Sequence, residues 1–400
     1  MRAIACTAVL LSLLPGAPPP SPRTPEAVPS PHDAAARKLL LAEFEALLAG
    51  PGTYEATVRR ECRAFPERDL LPYILPALAY TNLGQSDPAF RPKARRRVAQ
   101  LIDLARPAVA RRAGKLEDLD GYRRQAVYLG QYNLALGGYR LLGGDDRYAR
   151  QHKAISDALH AGLVRRRGRP LQSYPTYSWT FDTIPCLLSL KLYDRHTRGT
   201  RSRQAIARHL QWISDRATHE PTALPYSRVY DGTGEGLTLP RGCELSWRIA
   251  LLADLDADLA RRTYANYVKA FWLERPTLAG FAEWPFGRSS RQDFDSGPVV
   301  MGIGTTASGF GIAAARAAGD ETRRDRLCRQ AAHATDVLKL MIARDPRGRG
   351  KYTLGGVIDP DGGYRTGFLF GDACLFYAVT WRPWCSPPPR RAGERKAEEE

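Results

Sequence analysis

The stretch SYPTYSWTFDT, at residues 173–183, decides how the rest of the chain is interpreted. An arginine-rich helical run precedes it, and an apolar run with a helical pattern, residues 184–193, follows it. Pro175 fixes its own φ and favours an extended conformation at Tyr174, so the stretch is a loop that enters a helix. Its aromatic rings, small hydroxyls and single acid, Asp182, are typical of a binding or catalytic loop on a rigid helical frame.

Two further stretches share this mixture of acids, aromatic rings and glycine or proline. They are PRGCELSW at residues 240–247 and DFDSGP at residues 293–298. Each stands next to a run with a helical pattern, so each is predicted as a loop at a helix end. We expect the three loops to meet around one pocket.

The composition is that of a globular protein with an excess of basic charge. The 400 residues are 44% hydrophobic and 25% charged, with a formal net charge of +17. A chain of this length can fold without a disulfide or a metal. The arginines are scattered, and no nucleic-acid-binding motif accompanies them, so we expect no nucleic-acid partner. None of the seven cysteines lies in a C-x-x-C pair or at zinc spacing, and no metal site is expected.

Both ends of the chain differ in composition from the rest. Residues 1–31 begin with one positive charge at Arg2, continue with a short apolar run and end in a proline-rich linker, a pattern that resembles a signal peptide and predicts a periplasmic or extracellular protein. The apolar run is too short to span a bilayer comfortably, so membrane contact is not expected. Residues 386–400 combine proline with mixed charge and are predicted to be disordered. The interval 32–385 is predicted as one domain.

Between these ends the apolar pattern predicts paired helices. They are predicted over residues 32–50, 70–83, 87–113, 121–142, 145–163, 179–193, 202–214, 244–255, 257–272, 299–318, 321–343 and 368–381. Short connections are expected on one side and long aromatic and acidic connections on the other, with no β–α alternation. The predicted fold class is all-α, an (α/α)6 toroid. An irregular bundle or a solenoid is the alternative, although no fixed-length repeat favours a solenoid.

Two runs carry a resemblance to a known family. They are GQYNLALG at residues 130–137 and LSLKLYDR at residues 188–195. In these runs, and more broadly over residues 128–271, the chain resembles the linalool dehydratase-isomerase family of cofactor-free bacterial terpene enzymes. The resemblance implies an (α/α)6 fold and the hydration, dehydration or isomerisation of a small alcohol or terpenoid-like substrate, with no cofactor.

The resemblance also implies which positions stand where the family has catalytic groups. The histidine of the family falls on Gln131, and its two cysteines fall on Ser173 and Asp182. A glutamine cannot titrate, and neither a serine nor a carboxylate repeats thiol chemistry. We interpret the chain as a divergent member of that fold group, with Gln131 and Ser173 as substrate-binding residues.

Four acids and a tyrosine are predicted as catalytic residues: Asp182, Glu244, Asp293, Asp295 and Tyr177. Asp182, one turn inside the predicted helix 179–193, would have a pKa raised by desolvation and could transfer a proton; alternatively it only favours the helix dipole. Glu244 begins a helix and could equally be a capping acid. Asp293 and Asp295 would share one face of an extended segment, or would cap the next helix.

Aromatic side chains in these loops are predicted to line a hydrophobic or sugar-stacking wall. They are Tyr174, Tyr177, Trp179, Tyr226, Trp247 and Trp284. Glu283 is a further predicted substrate-binding residue. Core packing explains each ring separately, but their concentration in loops favours a site.

These residues lead to three hypotheses. The first is a cofactor-independent acid–base enzyme acting on a small-molecule substrate, with a hydro-lyase or isomerase activity as the family implies. Its alternative is a carbohydrate-active toroid enzyme, a glycosidase, lyase or epimerase, in which two carboxylates do the chemistry. The second is a non-catalytic binding protein of the cell envelope, and the third, least favoured, is a membrane-surface partner attracted by the +17 charge.

Overall fold

Most of the chain is helical, and apolar helices alternate with amphipathic ones. The computed structural model describes residues 31–61, 69–122, 124–275, 278–289, 291–331 and 369–385. The helices are α1 (Pro31–Ala49), α2 (Thr53–Glu61), α3 (Leu71–Ser86), α4 (Arg91–Ala113), α5 (Ala126–Leu141), α6 (Ala149–Arg166), α7 (Thr183–Thr197), α8 (Arg203–Arg216), α9 (Gly242–Leu255), α10 (Ala257–Phe271), α11 (Thr305–Ala318) and α12 (Leu369–Thr380). Residues 321–331 are also helical.

The apolar helices form a closed ring within the described ranges. Helices α3, α5, α7, α9, α11 and α12 each pack against the next, and α12 packs back on α3. Almost every side chain of α3 and α5 is buried, as expected of helices with neighbours on all sides. The amphipathic helices lie outside: α4 packs on α3 and α5, α6 on α5 and α7, and α10 on α9 and α11. The fold is an all-α (α/α)6 toroid, as predicted.

The connections between helices differ in length at the two ends of the ring. Each outer helix follows its inner partner after a short turn, such as Asp256 between α9 and α10. The long connections come before inner helices: residues 167–182 before α7, 217–241 before α9 and 272–304 before α11. They therefore lie at the N-terminal end of the inner ring. We call these three connections, with the first turns of α7, α9 and α11, the mouth.

Short antiparallel strands brace the mouth. Within the described residues they are β1 (Tyr177–Trp179), β2 (Thr218–His219), β3 (Leu224–Pro225), β4 (Arg228–Tyr230), β5 (Gly236–Thr238), β6 (Trp272–Glu274), β7 (Ala279–Phe281), β8 (Val299–Val300) and β9 (Ile303–Gly304). Strands β1, β4 and β5 form one sheet in that order, with Ser178 opposite Val229. The others pair as hairpins, β2 with β3, β6 with β7 and β8 with β9.

Several predicted helix starts differ from the structure. The helix predicted over 121–142 begins at Ala126, after a left-handed φ of 55° at Arg124. In two other cases strand pairing is the reason. The helix predicted over 179–193 begins at Thr183, because residues 177–179 pair with β4. The helix predicted over 299–318 begins at Thr305, because β8 and β9 form a hairpin. The tip residues of that hairpin, Met301 and Gly302, have φ values of 52° and 85°, which no right-handed helix contains.

Aromatic side chains pack inside the ring and join its helices. Trp247 of α9 stacks on Phe310 of α11 with ring centroids 4.8 Å apart. The same indole lies 5.0 Å from Phe181, just before α7, and 6.2 Å from Tyr377 of α12. One tryptophan therefore holds four neighbouring parts of the ring together.

The predicted leader and tail cannot be compared with this architecture. Residues 1–30 and 386–400 lie outside the described residues. Among the helices that are described, none is both long enough and apolar enough to cross a membrane.

Candidate functional site

The structure brings the three predicted loops together at the first turn of α9. Oγ1 of Thr180, in the first loop, lies 3.1 Å from Oε1 of Glu244 in the second. Arg241, also in the second loop, donates from Nε to Oε1 of Glu283 at 2.7 Å and from a terminal nitrogen to Oδ1 of Asp293 at 2.7 Å. Two ion-pair networks thus link segments that are far apart in sequence.

The first network fixes one oxygen of Glu244. Arg248, one helical turn later and almost completely buried, donates to Oε1 of Glu244 at 2.8 Å and to Oγ1 of Thr180 at 2.7 Å. The single hydroxyl proton of Thr180 then goes to the carbonyl oxygen of Tyr226 at 2.6 Å. This arrangement ties the loop before α7 to α9 and sets the direction of the Glu244 carboxylate.

The second oxygen of Glu244 is in a different situation. Oε2 is buried and accepts no hydrogen bond from the described residues. The residue nevertheless keeps 9% of its surface exposed, so the carboxylate lies at the boundary between the ring interior and the mouth. A buried acceptor of this kind normally has a partner, so Oε2 keeps an unused capacity to accept a hydrogen bond.

Asp182 lies at the entrance of the neighbouring inner helix. It is the residue before α7 rather than one turn inside a helix, so that prediction is wrong. Its side chain does not cap α7, while its carbonyl oxygen accepts a hydrogen bond from the Cys186 thiol at 3.3 Å. The residue keeps 8% of its surface exposed, similar to Glu244. Proton transfer by Asp182 stays a prediction.

The second network is enclosed. Glu283 has no exposed surface, and its Oε2 accepts the backbone N–H of Cys243 at 3.1 Å. Its Oε1 accepts from Arg241 and from the Cys243 thiol, at 3.2 Å for the sulfur. Glu283 therefore satisfies a backbone donor in the first turn of α9, where helices lack internal partners. Its predicted contact with substrate remains untested.

The pKa values of the two acids bound to Arg241 are shifted in opposite directions. Burial raises the pKa of Glu283, although hydrogen bonds and the charge of Arg241 oppose the shift. Partial burial also tends to raise the pKa of Asp293, but the bonds from Arg241 and Ser296 outweigh it and the pKa is lowered. The difference follows from exposure, because the Asp293 side chain is 51% exposed and Glu283 is fully enclosed.

Asp293 and Asp295 do not share a face of an extended segment, so that expectation is wrong. Residues 294–296 form a turn, in which Oδ1 of Asp293 accepts the N–H of Ser296 at 3.0 Å. Asp293 also binds Arg241, whereas the negative charge of Asp295 acts on the thiol of Cys243. Burial raises the pKa of that thiol well above its usual value, and nearby carboxylates add to the effect. The turn therefore separates a partner of Arg241 from a carboxylate near α9.

Part of the predicted aromatic wall is present beside the first loop. The rings of Tyr174 and Tyr177 are 6.1 Å apart, and those of Tyr177 and Trp179 are 6.4 Å apart. The guanidinium of Arg228 lies over both Tyr177 and Trp179, at 4.6 and 5.7 Å from the centroids. All three rings are partly exposed, as a stacking surface for a ligand requires.

The other predicted wall residues lie elsewhere. Trp247 is inside the ring, as described above. Tyr226 packs edge-on against His219, with centroids 5.3 Å apart. Trp284 lies next to the second network, with the Arg241 guanidinium 5.5 Å from its centroid. The structure thus does not gather the six aromatic residues into one wall.

The two residues assigned through the family resemblance have contrasting positions. The Ser173 hydroxyl accepts the backbone N–H of Val127 at 3.0 Å, so it supports the first turn of α5. Gln131 is completely buried on α5, and both polar atoms of its side chain lack hydrogen-bond partners among the described residues. Substrate binding by either residue stays a prediction.

Sequence reasoning missed Thr180 and three basic residues of the mouth, Arg228, Arg241 and Arg248. A signal exists for Arg248, because side chains four residues apart on a helix are neighbours and Glu244 stands four residues before it. Nothing in the sequence marks the pairing of Arg241 with Glu283, which are 42 residues apart. In the part of the chain that the structure describes, no three His, Cys, Asp and Glu side chains are grouped so as to hold a metal ion.

Comparisons with known proteins give structural similarities only. No protein-family model and no curated protein matches the chain. A GH76A α-1,6-mannanase from Salegentibacter sp. HEL1_6 is 12% identical, with 77% of this chain and 88% of that one covered and a TM-score of 0.49. A GH76 α-mannanase from Bacteroides thetaiotaomicron is 11% identical, with 78% and 85% covered and a TM-score of 0.47. An α-1,2-mannosidase from Trichoderma reesei is 13% identical, with 75% and 67% covered and a TM-score of 0.39.

The resemblance to the linalool dehydratase-isomerase family is wrong, and so are the lyase and isomerase activities that it implied. The solved structures just named are glycoside-cleaving enzymes and not terpene enzymes, and no family model matches the chain. The two runs behind the resemblance are parts of α5 and α7, which pack together. Gly130 lies against Cys186 and Gly137 against Leu192, where a Cβ would approach to 2.5 and 3.0 Å. Their pattern of small and apolar residues is therefore what close packing of two inner helices requires.

Proposed function

We propose that this chain is a carbohydrate-active enzyme that cleaves a glycosidic bond at the mouth of the toroid. The proposal rests on one observation above all: Glu244 holds one carboxylate oxygen on Arg248 and Thr180 and leaves the other without a partner among the described residues, at the edge of the ring interior. Asp182, which directly precedes the adjacent inner helix α7 and keeps 8% of its surface exposed, supplies a second carboxylate. Two carboxylates are the usual requirement for glycoside hydrolysis.

In the proposed reaction Asp182 donates a proton to the glycosidic oxygen as the bond to the anomeric carbon breaks. Glu244 acts on the opposite side, either by taking a proton from the attacking water or by forming a glycosyl ester that water then hydrolyses. In both cases one water is consumed and two sugar products leave. Asp295, close enough for its charge to act on Cys243, adds negative charge that suits an oxocarbenium-like transition state.

The partly exposed rings of Tyr174, Tyr177 and Trp179 support the choice of a sugar substrate. Flat aromatic faces pack against the C–H faces of pyranose rings, and these rings belong to the same loop as Asp182. We assign them to substrate binding, and we assign Tyr177 a contact with the sugar next to the cleaved bond. Export from the cytoplasm, expected from the leader, is part of the same proposal because extended polysaccharides lie outside cells.

The test is hydrolysis of a panel of α- and β-linked oligosaccharides that includes α-1,6-mannotetraose, with products identified by mass spectrometry. We expect Asp182→Asn and Glu244→Gln to lower kcat by about 10²- to 10⁴-fold on any substrate found. NMR identifies the anomer that is released first. Inverted configuration indicates that Glu244 is a general base, and retained configuration indicates that it forms a glycosyl ester. Asp145→Asn, at the far end of the ring next to Tyr139, is the control and should leave kcat unchanged.

Two results would contradict the proposal. Unchanged turnover in Asp182→Asn with full folding would remove this residue from the reaction. Binding of an oligosaccharide without cleavage of any panel member would favour a non-catalytic binding protein of the cell envelope. Thermal unfolding of each variant must accompany the kinetics, because Glu244→Gln also removes the negative charge beside a buried arginine.

A further inference from the structure

A cavity of about 370 Å³ opens at the mouth beside the second ion-pair network. Its walls combine apolar and basic side chains, and no acid is among the described residues that line it. The lining residues that matter here are His219, Leu239, Trp284, Phe286, Arg288 and Arg291. Trp284 connects the cavity to the candidate site, because the Arg241 guanidinium lies 5.5 Å from the centroid of its ring.

Two arginines of the cavity are available to bind a ligand. Arg288 and Arg291 are both exposed, and neither forms a salt bridge with a described acid. Arg241, by contrast, is engaged by two carboxylates. The Arg288 guanidinium lies over the Phe286 ring, 5.0 Å from its centroid. A guanidinium without an ion-pair partner presents several N–H donors in a planar fork that matches the geometry of a carboxylate. The charge of this cavity therefore complements an anion.

The segment that carries these arginines is held in place. The indole N–H of Trp284 donates to the carbonyl oxygen of Arg291 at 2.7 Å, and the Arg291 N–H donates to the Ser289 hydroxyl at 3.1 Å. Phe286 has a φ of 58°, a strained value for a residue with a side chain, and the residue is 45% exposed. Such strain persists where the surroundings impose it and clusters at ligand sites.

From these observations, and on the basis of the proposed function, we propose that the cavity is a subsite for a negatively charged sugar, a hexuronate. Trp284 and Phe286 would contact the apolar faces of the pyranose ring, while Arg288 and Arg291 bind its carboxylate. The substrate would then be an acidic polysaccharide rather than a neutral one. Because the subsite adjoins Arg241, the hexuronate would occupy a position next to the sugars held at the bond to be cleaved.

The experiment compares matched acidic and neutral ligands. Tetrasaccharides from pectate, alginate and hyaluronan are titrated calorimetrically against the full chain, together with the same tetrasaccharides after chemical reduction of their carboxyl groups. We expect at least one acidic ligand to bind about tenfold more tightly than its reduced form. The double variant Arg288→Gln, Arg291→Gln should lose that preference while it binds the reduced form as before.

The control is a second double variant with the same change in net charge, Arg96→Gln with Arg150→Gln. Both of these arginines are exposed and lie away from the mouth, on α4 and α6. If this control loses the preference equally, the effect is one of overall charge and the subsite is overturned. The same conclusion follows if acidic and reduced ligands bind alike, or if Arg288 and Arg291 can be replaced without effect, while hydrolysis of a neutral oligosaccharide still supports the proposed function. If no saccharide of either kind is bound or cleaved, both proposals fall.

Discussion

Glu283 and Glu244 both pair with buried arginines at the start of α9, yet they differ in what remains free. Both oxygens of Glu283 are engaged, by Arg241 and by the N–H and thiol of Cys243, and the residue has no exposed surface. Glu244 has one oxygen engaged, by Arg248, and is slightly exposed. A carboxylate with no free oxygen can only support structure, whereas one with a free oxygen can also meet a ligand.

The two glutamates differ in their free oxygens because they lie on different segments of the chain. Arg241 at the N-cap of α9 offers no capping side chain, and Glu283 supplies this function from the connection between α10 and α11. The carbonyl oxygen of Glu283 also accepts the N–H of Gly242 at 2.9 Å. Glu244 belongs to α9 itself and points to Thr180 of the neighbouring loop. A residue that caps from outside is thus structural, and a residue that bridges two loops lies at the site.

The largest expected effect is a difference between variants of the two glutamates in the free energy of unfolding. We expect Glu283→Gln to lower the free energy of unfolding by about 3–5 kcal/mol, because both oxygens of Glu283 accept hydrogen bonds and the amide nitrogen of a glutamine would face one of these donors, Arg241 or the N–H of Cys243. Glu244→Gln should cost less, about 1–3 kcal/mol, because the glutamine oxygen can keep the bond from Arg248 while its nitrogen takes the place of Oε2, which has no partner among the described residues. Urea unfolding followed by far-UV circular dichroism measures both values.

For kcat the order of the two variants should be reversed, with Glu244→Gln the more damaging change. At a temperature where both variants are folded, Glu283→Gln should keep most of its kcat on a substrate of the wild type, and Glu244→Gln should lose it. A Glu283→Gln variant that is as stable as the wild type, or that is inactive while fully folded, would show that the contrast between a supporting and a reacting carboxylate is incorrect.

The second prediction concerns Gly242, which follows Arg241 in the first turn of α9. A Cβ at Gly242 would lie 2.0 Å from the carbonyl oxygen of Ala282, a backbone atom that cannot move cheaply. We expect Gly242→Ala to destabilise by about 1–3 kcal/mol and to disturb the N-terminal turn that both glutamates share. Gly309→Ala is the matched control, because nothing lies within 4 Å of its Cβ position on α11.

The control should move in the opposite direction. Alanine in an open helical position stabilises by about 0.5–1 kcal/mol relative to glycine. If Gly242→Ala and Gly309→Ala change the free energy of unfolding equally, close approach of the backbone to α9 is not what fixes the mouth.

The fold could be predicted from sequence because its signal is local. Helices with apolar residues on all sides alternate with amphipathic ones, and long connections alternate with short ones, so a ring of inner and outer helices follows. What could not be predicted is where helices give way to strands at the mouth. Residues 177–179 and 299–304 are extended because distant or turning segments pair with them. A strand partner about 50 residues away leaves no periodic mark in residues 177–179, and residues 299–304 are too few to show a period of their own.

The candidate site was predictable only as a set of loops. Acids and aromatic rings mark the loops before α7, α9 and α11, but the roles of Glu283 and Glu244 depend on Arg241 and Arg248, and these arginines look like any others in a chain with a net charge of +17. Asp293 and Asp295 illustrate the same point. Two acids in alternate positions suggested one shared face, and a turn fixed by Ser296 directs only one of them to Arg241.

The smallest expected effect is the pH dependence of stability that comes from Asp293 and Glu283, the two acids bound to Arg241. Asp293 has a lowered pKa in the folded protein, so it contributes stability above its unfolded pKa of about 3.9 that is lost as the pH falls through the folded value. Glu283 has a raised pKa, so the folded state binds its proton more tightly, and stability falls as the pH rises from about 4.3 through the folded value. The two acids should therefore respond to pH with opposite signs.

Urea unfolding between about pH 3 and pH 7 separates these contributions, because each variant lacks one titrating group. The stability difference between wild type and Asp293→Asn should be largest near neutral pH and should shrink as the pH falls. The difference between wild type and Glu283→Gln should be largest at low pH and should shrink as the pH rises. If the two stability differences changed with pH in the same direction, the pKa values of Glu283 and Asp293 would be shifted in the same direction. The difference in exposure between the two acids would then have no effect on stability.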